Sequence, residues 1–190
     1  VFGLTACGSI KVRDVNEAEV MKVKKVAIAS FSFEVPAKNA GGSGAGLSHE
    51  TEEAAAALRE IGSVLAQKMR WTILNPDEMR ANAAYKNVFE AKMKGWQTGK
   101  VPPAGKLLVA PGVLDAQTLR RLKPAERDAL MSALGVDALI EANVHIAFPS
   151  KGVAVMGSGS RYPQSTSSVW MYKRGVEAPV WFEGRLVGEA

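Results

Sequence analysis

The sequence is poor in the residues that form disulfides and metal sites. It has one cysteine, Cys7, and two histidines, His49 and His145, among 190 residues. One cysteine excludes an internal disulfide and a Cys-rich metal framework. No uncharged apolar run approaches the ~20 residues that a membrane-spanning helix needs, so we predict no transmembrane segment. The single cysteine lies close to the start of the sequence, and this position is its informative feature.

The composition is that of an ordinary globular domain. Hydrophobic residues make up 47% of the 190 residues and charged residues 23%, which suits one hydrophobic core. The formal net charge is +5, but the basic residues are dispersed, with short runs at 22–25 and 120–123. No aromatic residues are interleaved with these runs, as the stacking of bases would require. We therefore predict a solvated surface and no nucleic-acid partner.

The first residues indicate the remnant of a processed export signal. An apolar start leads to small residues, and Leu4-Thr5-Ala6-Cys7 matches the bacterial lipobox, in which the thiol is acylated and the preceding peptide bond is cut. The alternative is a free, buried cysteine. The lipobox interpretation predicts a signal remnant at 1–6, a lipidated tether at 7–22 and a single domain at 23–190.

The residue after the cysteine bears on the choice of membrane. In bacterial lipoproteins the signal for retention at the inner membrane is typically an aspartate at that position, whereas this sequence has Gly8. The resemblance therefore implies a lipid anchor in the outer membrane, with the domain on the periplasmic face.

The hydrophobic pattern predicts an α/β (α+β) domain. We expect a mixed β-sheet with helices packed on its faces and a β-rich, antiparallel C-terminal part. Predicted strands are Val26–Phe33, Trp71–Leu74, Leu107–Ala110, Ala138–Phe148, Val153–Tyr162, Ser167–Lys173 and Val180–Val187. Predicted helices are Ser48–Met69, Pro76–Met93, turns within Leu114–Leu122, and Pro124–Leu134.

Two helix ends carry specific local signals, and one helix carries a clear apolar stripe. Asn75 and Pro76 predict an N-cap followed by proline at the first helical position. Gly135 predicts a helix end at which Val136 covers Met131 in a Schellman arrangement. The predicted stripe of the Ser48–Met69 helix is Ala54, Leu58, Ile61, Leu65 and Met69.

A polar stripe marks the fourth predicted strand. Glu141, Asn143 and His145 alternate with apolar residues, so their side chains share one face of the strand, about 6 to 7 Å apart at each step of two. This arrangement would allow a metal-binding or acid–base role. The simpler interpretation is a solvated sheet face, because the set of ligands is poor. We predict no catalytic residue, no metal and no cofactor.

Three segments resemble a fold of bacterial envelope proteins. Lys25–Phe31 resembles the opening strand of that family, which ends in Phe. Leu134–Val144 resembles its Leu-Gly-Ala-Asp helix exit, which runs into a strand. Ser168–Glu183 resembles its hairpin with a Gly-Glu turn followed by hydrophobic residues and Trp.

The fold so identified is shared by penicillin-binding-protein activator lipoproteins, the curli secretion channel subunit and the amino-terminal domain of the Tol-Pal translocation protein. The long amphipathic hairpins of the curli-type channel are not evident in the sequence. The resemblance therefore implies a soluble, non-catalytic domain on a lipid tether, with envelope proteins or a second copy of itself as partners.

A glycine-rich stretch provides an alternative function. Residues 41–48 nearly match the phosphate loop G-x-x-x-x-G-K-[ST], with Leu47 in the place of the lysine. Backbone amides at the following helix start could still hold an anion. The alternative is therefore phosphate or nucleotide binding, and the simpler interpretation is a flexible loop. The residues concerned are Gly41, Gly42, Gly44, Gly46 and Ser48.

Three aromatic residues are predicted to lie on the final hairpin. Trp170, Tyr172 and Trp181 could support the sheet through cross-strand packing. An exposed subset could instead anchor a partner protein, since Trp and Tyr dominate interface hot spots. Both roles stay open at the level of sequence.

Overall fold

The computed structural model describes residues 12–36, 52–93, 105–110, 112–115, 117–147, 150–151, 160–161 and 164–189. The strands in these ranges are β1 (Val12–Val15), β2 (Lys25–Pro36), β3 (Thr72–Ile73), β4 (Gly105–Val109), β5 (Ala138–Ala147), β6 (Ser150–Lys151), β7 (Ser160–Arg161), β8 (Gln164–Lys173) and β9 (Trp181–Glu189). The helices are α1 (Glu17–Val20), α2 (Glu52–Met69), α3 (Pro76–Ala81), α4 (Ala83–Met93), α5 (Thr118–Arg121) and α6 (Pro124–Leu134).

A mixed sheet of seven strands organises the described part of the chain. Its order is β1-β9-β8-β5-β2-β3, with β4 also paired to β2. Strand β2 runs parallel to β5 and β3, whereas β5, β8, β9 and β1 pair antiparallel in succession. Strands β6 and β7 form a separate pair. The predicted α+β class, mixed sheet and antiparallel C-terminal part are confirmed.

The central strands β2 and β5 are covered on both faces. Every residue from 26 to 32 and from 138 to 142 is buried, which is typical of parallel strands with helices on both sides of the sheet. Successive side chains of a strand point to opposite faces, so Ile140 and Glu141 mark the two sides. On the Ile140 side, its cross-strand neighbour Ile28 lies near Gly62 of α2. On the Glu141 side, the carboxylate contacts α5. Helices therefore pack on both faces, as predicted.

The predicted helix-end signals are confirmed by hydrogen bonds. Pro76 opens α3, and the Asn75 side chain accepts a hydrogen bond from the Asp77 amide at 2.8 Å. At the end of α6, Gly135 has a φ of 63°, and the Val136 amide donates to the Met131 carbonyl at 3.0 Å. Glycine tolerates this left-handed conformation at little cost, and the paired hydrogen bonds complete a Schellman motif.

Two predictions about helices are wrong in detail. The helix predicted over 76–93 is two helices, α3 and α4, separated at Asn82. The side-chain oxygen of Asn82 accepts from the Ala84 and Tyr85 amides, so this residue caps a new helix instead of continuing the old one. Met69, predicted to belong to the buried stripe of α2, is 38% exposed.

The predicted tether is wrong for residues 12–22, because these residues belong to the folded domain. Strand β1 pairs with β9 from Val12 opposite Gly184 to Val15 opposite Trp181. Helix α1 follows directly, with Asn16 as its N-cap and Val20 buried. Ladder hydrogen bonds to the neighbouring strand β9 stabilise this four-residue strand. Its alternation of apolar and polar residues is too weak to predict a strand from the sequence.

Candidate functional site

The most unusual group in the described part of the chain is the carboxylate of Glu141 on β5. Its side chain is fully buried. One oxygen, Oε1, lies 2.6 Å from Nε of Arg120, and the other, Oε2, accepts a hydrogen bond from the Arg120 amide at 3.1 Å. A single residue of α5 therefore engages both oxygens. A buried carboxylate that lost this partner would carry a large desolvation penalty.

Burial dominates the titration of Glu141. Removal from water raises its pKa from 4.5 to about 7, although the charge and hydrogen bonds of Arg120 act in the opposite direction. The nearby charge of Asp115 adds to the increase. The pKa of Tyr172 rises to about 12, first through burial and then through the charge of Glu141. The carboxyl group therefore changes its charge near neutral pH.

Two arginines cover the aromatic residues beside Glu141. The Arg120 guanidinium lies 4.0 Å from the centroid of the Trp170 ring, which stacks on Phe182 at 5.1 Å. The Arg127 guanidinium lies 4.3 Å from the Tyr172 ring. Contacts of this kind stabilise by about 0.5–2 kcal/mol each, more when water is excluded. The arginines thus join α5 and α6 to the face of β8 and β9.

Arg127 is itself buried and is held by main-chain carbonyls. Its guanidinium donates to the carbonyls of Leu122 at 2.7 Å and Glu177 at 2.9 Å. These carbonyls belong to the segment before α6 and to the connection between β8 and β9. Because a buried guanidinium needs acceptors, this side chain fixes the relative positions of the two segments.

A second set of polar contacts fixes the segment before α5 to β2. The Ser30 hydroxyl donates to the Asp115 carbonyl, and the Thr118 hydroxyl donates to the Asp115 side chain. The buried Tyr85 hydroxyl donates to the Ala29 carbonyl at 2.8 Å and accepts from the Leu114 amide at 3.0 Å. Ala29 lies where the pairing of β2 with β5 shifts register. The Tyr85 hydroxyl therefore pairs with the Ala29 carbonyl at a point where the ladder between β2 and β5 is irregular, and it also pairs with the Leu114 amide.

The prediction of a solvated face for Glu141 is wrong. The strand has the expected alternation, but α5 covers this side of the sheet and supplies Arg120 as a partner. Asn143 and His145 lie on the same face and are partly buried. Asn143 accepts a hydrogen bond from the Ser32 hydroxyl at 3.2 Å. Within the described ranges, no group of three or more His, Cys, Asp or Glu side chains could hold a metal ion.

The three aromatic residues of the final hairpin all have packing partners in the chain. Register places Trp170 and Tyr172 on the Glu141 face and Trp181 on the other face, where it meets the Trp71 ring edge-on at 6.1 Å. Tyr172 is buried, whereas Trp170 and Trp181 are partly exposed. Their packing role is therefore visible in the structure, and partner binding through them stays a prediction.

The three segments that carry the family resemblance meet at Asp137. Its carboxylate accepts hydrogen bonds from the amides of Lys24 and Lys25, each at 2.9 Å, where β2 begins. Its carbonyl accepts from the Arg174 amide at 3.0 Å, where the connection from β8 to β9 begins. Burial alone would raise the pKa of Asp137, but these amides, with the charges of Arg174 and Lys173, hold it below its ordinary value.

The described site is a set of internal contacts. Both oxygens of Glu141 contact Arg120 of the same chain. The carboxylate and the carbonyl of Asp137 likewise accept hydrogen bonds from amides of the same chain. No sequence signal pointed to Arg120 or Arg127. A signal for Glu141 did exist, since the apolar run Ala138–Ile140 directly before it indicates a strand covered on both faces. The predicted lipidation residue Cys7 and the predicted anion-binding residues Gly41, Gly42, Gly44, Gly46 and Ser48 lie outside the described residues.

Comparisons with known proteins add a distant structural match. The chain aligns with the LpoB C-terminal domain from Salmonella enterica at a TM-score of 0.39 and 11% sequence identity, over 88% of this chain and 83% of that chain. No protein-family model matches the sequence, and no curated protein matches it. Among the described helices, none has the length and apolarity required to cross a membrane.

Proposed function

We propose that this chain is a non-catalytic lipoprotein of the bacterial outer membrane that faces the periplasm and binds other envelope proteins or a second copy of itself. The anchor is the proposed thioether-linked lipid on Cys7, within the lipobox-like Leu4-Thr5-Ala6-Cys7. Acyl chains bind a bilayer because each buried methylene contributes about 0.8 kcal/mol.

The observation that carries the proposal is the meeting of three distant segments at Asp137. Lys25–Phe31, Leu134–Val144 and Ser168–Glu183 contribute the adjacent strands β2, β5, β8 and β9. The Leu-Gly-x-Asp exit places its aspartate where it bonds the start of one segment and the turn of another. The residues of the resemblance thus form one structural unit, which supports a shared fold and, through it, the function that the resemblance implies.

The buried charges support a structural role for these groups over bond chemistry. Glu141 has the perturbed pKa that often marks a catalytic acid or base, but its Oε1 forms an ion pair with the Arg120 guanidinium and its Oε2 accepts a hydrogen bond from the Arg120 amide. Arg127 is likewise committed to carbonyls of its own chain. These side chains hold α5 and α6 against the sheet through ion pairs and hydrogen bonds. For partner contacts, we propose the partly exposed rings of Trp170 and Trp181.

Fractionation of cells tests the anchoring half of the proposal. The wild-type chain should be recovered with the outer membrane, and Cys7→Ser should be recovered in the soluble periplasmic fraction. Wild-type chain in the cytosol, or equal membrane recovery of both forms, would show that the cysteine does not anchor the protein.

Cross-linking of intact cells tests the binding half. A membrane-bound wild-type chain should yield discrete adducts that contain an envelope protein or a second copy of the chain. Their yield should fall when Trp170 or Trp181 is replaced by Ala in a variant that keeps its circular dichroism spectrum. A monomer at every cross-linker concentration would refute the binding role while leaving the anchor intact.

A further inference from the structure

The first described strand sets how far the folded domain can move from a lipid on Cys7. Strand β1 is attached to β9 by antiparallel pairing from Val12 to Val15. The Asn16 amide donates to the Val180 carbonyl at 2.8 Å, and Nε of Arg13 lies 3.1 Å from the Glu183 carboxylate. From Val12 onward, the chain is therefore held to the sheet.

The chain between Cys7 and Val12 is short. Gly8, Ser9, Ile10 and Lys11 are the intervening residues, so five Cα–Cα steps separate the two positions. Fully extended, five steps span at most about 18 Å. A tether reaching residue 22 would span up to about 54 Å by the same measure. The domain is thus restricted to the immediate vicinity of the anchor.

The strand order determines which side of the domain lies close to the lipid on Cys7. In the seven-stranded sheet, β1 is the terminal strand at one edge, and β3 lies at the opposite edge. Five strand spacings of about 4.8 Å separate the two edges, a width of about 24 Å. With the β3 edge against the membrane, Val12 would lie farther from the bilayer than its tether can reach.

We propose that the outer edge of β1 lies against the phospholipid headgroup layer, and that the β3 edge with α2 and α3 faces away from the membrane. This inference rests on the proposed lipid at Cys7. No other described strand covers the outer edge of β1, and the exposed side chains of Arg13 and Asp14 present both signs of charge. Exposed side chains of both signs of charge suit the polar headgroups of a zwitterionic bilayer. The sheet faces that carry Trp170 and Trp181, the helices and β3 then remain available to a partner.

The single cysteine allows a direct test that does not depend on natural acylation. A maleimide-bearing phospholipid coupled to Cys7 attaches the purified chain to phosphatidylcholine vesicles. Variants carry the photo-cross-linking residue p-benzoylphenylalanine in place of Asp14 or Thr72. Both positions are exposed residues of short edge strands, on opposite edges of the sheet. We expect lipid adducts at position 14 to exceed those at position 72 many-fold.

A tether variant tests whether chain length is the cause. Inserting about 20 Gly/Ser residues between Lys11 and Val12 adds a coil with a root-mean-square span of about 25 Å, so the adducts at position 14 should fall toward the level at position 72. Equal yields at the two positions of the short chain, absent adducts at position 14, or insensitivity to the insertion would each overturn the inference. Failure of natural acylation would refute the proposed function alone, because the vesicle anchor is chemical.

Discussion

Replacing Glu141 with glutamine should remove a pH-dependent component of the protein's stability. Burial raises the pKa of this carboxyl group from 4.5 to about 7 in the folded chain. Between these values the folded state binds more protons than the unfolded state. The free energy of unfolding therefore falls as the pH rises through this window, and the loss is complete above the folded pKa.

The size of the effect follows from the two pKa values. Each pKa unit corresponds to about 1.36 kcal/mol, and the interval from 4.5 to about 7 gives an upper limit on the order of 3 kcal/mol. Between pH 5 and pH 8, the wild-type chain should lose roughly 2–3 kcal/mol through this group. Glutamine has nearly the same shape and does not titrate, so Glu141→Gln should lack this loss.

Urea unfolding followed by tryptophan fluorescence measures the effect. The free energy of unfolding is determined at pH 5, 6, 7 and 8 for the wild type, Glu141→Gln and the control Glu90→Gln. Glu90 is an exposed residue whose carboxylate lies 3.9 Å from the Lys86 ammonium. The difference between wild type and Glu141→Gln should change steadily with pH, while the control should follow the wild type. Parallel wild-type and Glu141→Gln curves would refute the assigned burial and pKa of Glu141.

Three further predictions concern the free energy of unfolding, which is measured in each case by urea unfolding. Tyr85→Phe should lower it by about 1–3 kcal/mol because the hydroxyl satisfies a buried carbonyl and a buried amide; Tyr172→Phe is the control, and equal effects would contradict this role. Gly135→Ala should destabilise the chain by about 1–2 kcal/mol, since φ of Gly135 is 63°. Gly62→Ala should stabilise it by about 0.5–1 kcal/mol, because the new Cβ meets neighbours no closer than 3.6 Å. A change of the same sign for both substitutions would refute this contrast. Deleting residues 1–16 should cost at least about 1 kcal/mol more than deleting residues 1–11, because only the longer deletion removes the ladder hydrogen bonds of β1; equal stability of the two deletions would contradict the pairing of β1 with β9.

Local signals in the sequence predicted the helix ends well. Asn75 with Pro76, and Gly135 with Val136, each determine a hydrogen-bonding pattern within a few residues. These hydrogen-bonding patterns depend little on the remainder of the fold, so the local sequence is sufficient to predict where the helices begin and end. Asn82 shows the limit of this approach, because its side chain caps α4 and also donates to the Ala133 carbonyl of α6 at 2.9 Å.

Burial of polar residues could not be predicted in the same way. The alternation around Glu141 correctly predicts a strand, but it does not reveal that Arg120, on a separate short helix, covers its face. The same holds for β1, whose pairing with β9 joins residues near the two ends of the sequence. Both features depend on contacts between distant segments, and single-segment patterns do not contain them.

The mass of the amino-terminal peptide, purified from membranes of cells that express the chain, shows whether Cys7 carries the lipid anchor. We expect a peptide that begins at Cys7 and carries a diacylglyceryl thioether, with residues 1–6 removed. A peptide that retains residues 1–6 and an unmodified thiol on Cys7 would contradict it.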